Sequence, residues 1–182
     1  MNYLPLCLSG VLQYFSDTNM TALRITYNTS LYPTKQAIIG LIASALGYNR
    51  GDIRSTELFN MLDVKYAVVK DPIILEDFQT IKGLKSQRNY MNKFYTRNKF
   101  TTVCGSIQEN RQLTKNVQYL QNAEFMVYIG CDDAKLKEIY NALRNPVYSL
   151  YIGKRSCIPN KPIVTDFTLI KKEDLSDAYD CA

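Results

Sequence analysis

Pro33, Thr34 and Lys35 stand together ahead of the apolar run Gln36-Ala37-Ile38-Ile39-Gly40-Leu41-Ile42-Ala43-Ser44-Ala45-Leu46-Gly47. Proline suits the first helical positions, and a threonine hydroxyl can cap free backbone N–H groups. A helix is therefore predicted over roughly 33–46, largely buried, with Gly47 as its left-handed stop. A lysine in the first turn runs against the helix dipole, which favours a carboxylate there. Unpaired N–H groups, a hydroxyl and an ammonium in one place make an anion site suited to a phosphate. The same pattern fits a solvated lysine, because the dipole penalty is only about 0.3–1 kcal/mol.

Two further groups could do related chemistry. Between Lys82 and Lys115, the cations Lys82, Lys85, Arg88, Lys93, Arg97, Lys99, Arg111 and Lys115 face a single acid, Glu109. Tyr90, Phe94, Tyr95 and Phe100 are interleaved among them. Cations neutralise phosphates and rings stack on exposed bases, so the segment suits single-stranded nucleic acid; a solvated loop has the same composition. The second group is Leu150-Tyr151-Ile152-Gly153-Lys154-Arg155-Ser156-Cys157-Ile158-Pro159, an apolar stretch running into a basic, hydroxyl-bearing turn. It reads as a loop that clamps a phosphate backbone, or as an ordinary basic turn. Cys157 reads as a buried small side chain, with no base to activate it. Asp71, Glu76 and Asp77 have no metal-binding or acid–base spacing and read as turn and surface residues.

Histidine is absent from the chain. The commonest general base, the commonest metal ligand and every Ser-His or Cys-His nucleophile are thereby excluded, which lowers the case for an enzyme. Tyrosine, lysine and carboxylates can still move protons. The net charge of +5 suits an anionic partner without requiring one. Cys7, Cys104, Cys131, Cys157 and Cys181 are scattered without a paired spacing, as free thiols of a reducing cytosol would be. The longest apolar run, Ala37 to Leu46, is too short for the roughly 20 residues a bilayer needs, and Met1 to Gly10 has no basic leader region. A cytoplasmic location, no membrane partner and no cofactor are expected.

The elements that must hold these groups are legible in outline. Leu4–Leu12 reads as a strand, the 33–46 helix follows, and Val64–Val69 is a second strand. Asp71-Pro72 turns the chain, and Ile73–Leu75 starts a short return strand. Ala123–Ile129 is a third core strand. Asp132-Asp133 can cap a second helix, in which Leu136, Ile139, Tyr140 and Leu143 recur at helical spacing and Arg144, Asn145 and Pro146 mark the end. Val147–Ile152 and Pro162–Ile170 read as further strands, and 171–182 as a frayed acidic tail. The order β-α-β-insertion-β-α-β gives an α+β fold, the ferredoxin-like antiparallel sheet with two helices on one face. The chain thus divides into one domain over 1–170, with the basic insertion at about 82–115, and the tail.

Three segments in this order carry a resemblance: Leu8-Ser9-Gly10-Val11-Leu12-Gln13, Thr29 to Gly47, and Pro146 to Pro159. With Asp77-Phe78-Gln79-Thr80 and Tyr119 to Phe125, they resemble the CasD-type subunits of type I CRISPR Cascade complexes, nearest the I-E branch. The likeness runs to about Val164. It implies a ferredoxin-like (RAMP-type) domain with a β-hairpin thumb between the second and third core strands. It also implies a non-catalytic subunit that binds and caps the 5′ handle of the crRNA. Partners so implied are a neighbouring backbone subunit and the large subunit, with target DNA met only indirectly.

Matched by motif, the RNA-binding residues would be Gln13; Pro33, Thr34 and Lys35 of the helix start; Lys93, Arg97, Lys99, Arg111 and Lys115 of the thumb; and Gly153, Lys154, Arg155 and Ser156 of the turn. One RNA path would then join the helix start to the 153–156 corner. Val11, Phe15, Tyr27, Gln36-Ala37 and Gln79 depart from the family pattern. Two alternatives remain open: a metal-independent endoribonuclease using Tyr and Lys, as in the I-C branch, and a purely structural assembly protein.

Overall fold

Leu4, Leu6 and Leu8 alternate along the first strand, and period-two geometry puts all three on one face. Their cross-strand partners continue that face, and the core is built outward from it. The computed structural model describes residues 1–16, 26–82, 112–175 and 178–181. The chain runs β1 (Asn2–Ser9), β2 (Leu12–Gln13), β3 (Thr26–Tyr27), α1 (Lys35–Leu46), α2 (Ile53–Met61), β4 (Asp63–Lys70), β5 (Ile73–Lys82), β6 (Gln112–Gln121), β7 (Glu124–Cys131), α3 (Asp133–Arg144), β8 (Ile170–Lys171), a 3-10 turn at Lys172–Asp174, and β9 (Tyr179–Asp180).

The larger sheet has the order β8-β1-β7-β4-β9, antiparallel throughout. Leu4, Leu6 and Leu8 lie opposite Ile129, Val127 and Phe125 of β7, which in turn face Val64, Tyr66 and Val68 of β4. Most of these side chains are fully buried, each stabilising the fold by about 1.5–3 kcal/mol. α3 packs on β1 and β7 through Leu136, Ile139 and Leu143, and α1 packs on α3 and α2. A second sheet has the order β2-β6-β3, with β5 paired along the other edge of β6. β5 and β6 form a long antiparallel hairpin, in register from Ile73↔Gln121 to Lys82↔Gln112. The molecule is thus a mixed α/β structure with mainly antiparallel sheets.

α1 starts and stops close to the predicted limits. Thr34 is the N-cap, its hydroxyl accepting from the Ala37 N–H, so Pro33 lies just outside the first turn. Gly47 closes the helix at φ +77°, and a Cβ there would strike Val147. Its apolar girdle is used: Ile38, Ile39, Leu41, Ile42, Ala43 and Ala45 are all buried. α3 also matches its periodicity, although Asp132 caps it only through its backbone carbonyl, with no side-chain capping bond.

Other expectations need correction. Val147–Ile152 is not a strand: the Val147 and Tyr148 N–H groups donate to Ala45 and Ser44 at the end of α1. Those donors cap a helix and cannot also join a ladder. Pro162–Ile170 supplies only Ile170, the first residue of β8, to the sheet, plus one bond from the Cys7 N–H to the Ile163 carbonyl. Pro162 has no N–H to offer. The tail is not frayed, since β9 pairs with Lys65–Tyr66 at the sheet edge and the Cys181 N–H donates to Val64. α2 was not expected; Asp52 caps it and pairs with Arg54 at 2.6 Å. The expected return strand is far longer than Ile73–Leu75. Most of the 82–115 insertion, with Lys93, Arg97, Lys99 and Arg111, lies outside the described residues. The described helices include none long and apolar enough to cross a membrane.

Candidate nucleic-acid interface

The glycine of the basic turn fixes its surroundings first. Gly153 has φ +93°, and a Cβ built there would lie 1.7 Å from the Tyr14 carbonyl oxygen. Only glycine lets the two backbones approach so closely. The Tyr14 N–H donates to the Ile152 carbonyl, and the Ile152 N–H to that of Cys157, which closes the loop. Cys157 is fully buried, as expected, and burial raises its thiol pKa. Arg155 and Ser156 are left exposed at the tip.

Lys154 folds back from this turn into a cage of tyrosines. Its Nζ sits 3.4 Å from the ring centre of Tyr14, 5.1 Å from Tyr119 and 5.4 Å from Tyr27. Tyr14 and Tyr119 meet edge to face, with centroids 6.3 Å apart. The ammonium is buried and makes no hydrogen bond. Burial, and then the Lys115 charge, pull its pKa down to about 8, while the ring faces attract the cation. Lys115 Nζ stands 4.2 Å from the other participant, Tyr27, so β6, β3 and the turn converge on one ring.

Lys35 sits in a different neighbourhood. Its Nζ lies 4.6 Å from the ring centre of Phe59 on α2. The first turn of α1 contains no acidic residue, and no described carboxylate is within ion-pair distance of Lys35. The lysine therefore leans on a neighbouring helix rather than over its own N-terminus, which explains how the position tolerates a cation. Lys35 and Lys154 share no side-chain partner among the described residues. The segment 28–34 connects their surroundings: Ser16 bridges to Thr29 and the Ser30 N–H donates to Phe15, next to Tyr14. From Tyr27 to Lys35 the chain can span at most about 27 Å.

Gln13 is a structural residue in this molecule. It is fully buried, and its amide donates to the Ala123 carbonyl at 2.7 Å and the Leu8 carbonyl at 3.3 Å. In this arrangement its amide N–H groups are taken by the protein's own backbone. Glu76 and Asp77, read from sequence as turn and surface residues, lie instead on strand β5 and accept from Gln118 and Gln79.

Sequence reasoning missed the cage tyrosines. The one available signal was bulk: 14 tyrosines and no tryptophan in 182 residues. It also missed a stack formed by Tyr32, Tyr66 and Tyr179, with centroid spacings of 5.3 Å and 5.8 Å. Those residues belong to a loop, β4 and β9, and only the fold brings them together.

Comparison with known proteins decides the family. The model of the CRISPR-associated protein (Cas_Cas5) family matches residues 3–181. The chain belongs to this family. That is the kinship already read from the Leu8–Gln13, Thr29–Gly47 and Pro146–Pro159 motifs. The CRISPR system Cascade subunit CasD of Escherichia coli (strain K12) is 27% identical over 172 residues, which cover 89% of this chain and 69% of that protein. Among solved structures, a chain of a CRISPR RNA-guided surveillance complex matches with a TM-score of 0.71 at 25% identity, over 95% of this chain and 66% of that one. A further structure, described as a crystal structure of Cas protein, shares the fold with a TM-score of 0.59 at 23% identity, over 91% of this chain. This Cas5-family chain spans 64% to 66% of the length of the two solved relatives.

Proposed function

We propose that this protein is a non-catalytic RNA-binding subunit of a type I CRISPR (Cascade) antiviral effector that binds and caps the 5′ handle of the crRNA. The core order β8-β1-β7-β4, antiparallel with helices packed on it, supports a ferredoxin-like, RAMP-type reading of the domain. The β5–β6 hairpin, which follows β4 and precedes β7, supports the reading of a thumb at that point of the chain. The kinship with CasD of the Escherichia coli complex and with a surveillance-complex chain supports the assignment.

The observation that carries it is the meeting of Lys115 and Lys154 on the Tyr27 ring, with Arg155 and Ser156 exposed on the same turn as Lys154 and no ion pair to either lysine among the described residues. A concentration of positive charge with no ion-pair partner among the described residues suits a ribose–phosphate strand. Lys115, Arg155 and Ser156 contact phosphates, Gly153 shapes the turn, and Lys154 pins it. The strand then follows segment 28–34 toward Pro33, Thr34 and Lys35. Lys93, Arg97, Lys99 and Arg111 of the thumb clamp it and reach the adjoining backbone subunit. The large subunit is met at the same end of the complex, and target DNA only through it. The protein works in the cytoplasm and uses no cofactor.

The test is to purify the full chain, tagged, from cells that also express a repeat–spacer array and the other subunits. A small RNA with a defined 5′ handle is expected to copurify with it. Recovery of the subunits with no RNA contact to this chain by crosslinking would instead mark it as an assembly protein. Defined cleavage of repeat RNA without divalent metal would mark it as a nuclease.

A further inference from the structure

The Tyr32–Tyr66–Tyr179 stack has no place among the contacts assigned so far. Tyr66 lies in the middle, half-buried, with Tyr32 at 5.3 Å and only 23° between their planes. Tyr179 also lies against Tyr66, at 5.8 Å and 38° between the planes. The outer rings remain 42% and 63% exposed, a costly use of large aromatic surface if packing were its only purpose. Charge around the stack includes both signs. Asp180 is paired with Lys65, and Asp63 accepts from the Tyr3 hydroxyl at 2.6 Å. Lys35, three residues after Tyr32, has no carboxylate partner among the described residues. An open aromatic face, followed three residues later in the chain by an ammonium with no described ion-pair partner, suits a planar ring attached to a phosphate.

Resting on the RNA-binding proposal above, we infer that the outward face of Tyr32 is a stacking platform for one unpaired nucleobase, with Lys35 meeting the phosphate attached to it. Tyr66 and Tyr179 stack behind it and hold the ring in place. Stacking on a ring is tolerant of sequence, because every base has a π face. The platform therefore fixes where the strand lies rather than which base it carries. The hydroxyl of Tyr32 is not needed, so phenylalanine preserves the site.

The test uses the full chain and a single-stranded RNA carrying 2-aminopurine, whose fluorescence is quenched on stacking. The parent protein is expected to quench the probe. Tyr32→Ala is expected to lose the quenching and about 5- to 150-fold in affinity, while Tyr32→Phe retains both. A second measurement needs no variant: RNA carrying 5-iodouridine is photocrosslinked to the parent protein, and the adduct is expected on the peptide containing Tyr32. Parental binding and quenching by Tyr32→Ala, or adducts mapping only elsewhere, would overturn the platform while leaving RNA binding intact. Loss of subunit capture by Tyr32→Ala with unchanged RNA affinity would show a protein contact instead, and would also overturn it. Failure of the parent protein to bind any single-stranded RNA would remove the RNA-binding proposal itself.

Discussion

Two clusters of tyrosine and lysine lie in this molecule, and they are built in opposite ways. Around Tyr14, Tyr27 and Tyr119 the ring faces are already occupied by the protein's own Lys154. Around Tyr32, Tyr66 and Tyr179 the outer rings are open, and Lys35, three residues after Tyr32, lies against Phe59. The closed cluster spends its cation–π attraction, about 2 kcal/mol when desolvated, on tying a turn to the second sheet. The open cluster leaves its stacking capacity unspent. Lysine and tyrosine can therefore serve as a pin in one place and as a contact surface in another, and burial separates the two.

The sharpest way to break the contrast is at Gly153. Gly153→Ala forces a left-handed side chain into the Tyr14 carbonyl and should lose about 3 kcal/mol or more, a fall of about 6–12 °C in Tm. Gly40, with nothing near its built Cβ on an exposed face of α1, gives the control: Gly40→Ala should raise stability by about 0.5–1 kcal/mol. Thermal unfolding of both variants checks the pair.

Next in size is a swap between clusters. Tyr119→Ala opens a cavity at a nearly buried ring and should cost about 3 kcal/mol in a denaturant titration. Tyr32→Ala should cost less than about 1 kcal/mol, its effect falling on RNA affinity instead. Equal destabilisation by the two would erase the distinction.

Lys154 gives a pH-dependent signature. Its pKa falls from 10.5 to about 8 on folding, so between those values the unfolded chain holds a proton that the folded chain has released. That term favours folding as pH rises from about 8 toward 10.5, and its penalty is fully present below about 8. The buried thiols, Cys131 and Cys181 among them, titrate in the opposite sense, but they are the same in a Lys154→Met protein. The stability of the parent relative to Lys154→Met should therefore climb across that window, as read by urea titrations at pH 7.5, 8.5 and 9.5. A flat difference would show that the ammonium is not desolvated in the cage. The smallest effect is expected at Lys35: Lys35→Ala should leave Tm unchanged and make the salt slope of RNA binding shallower by about 0.7.

How much was legible in the sequence follows from these same residues. Strong local signals were readable: the Thr34 cap and Gly47 stop of α1, the helical spacing of Leu136, Ile139 and Leu143, and the β-branched run of β4. The motifs flanking them also carried the family. Val147–Ile152 misled because an apolar run marks burial, not pairing, and its N–H groups cap α1. β2, β3 and β9 are two residues each, too short to leave a period. The site was legible as residue types but not as arrangement. Gln13 looked available and is buried, Lys154 looked solvated and is caged, and Tyr32, Tyr66 and Tyr179 are distant in sequence.

The most direct measurement of the central claim is the affinity of the full chain for single-stranded repeat RNA across a salt series. Several phosphate contacts predict log K falling linearly with log salt at about −0.7 per contact, so a total slope near −2 or steeper is expected. A slope indistinguishable from zero, with binding still present, would show that the lysines and the Arg155 tip do not hold a phosphate backbone.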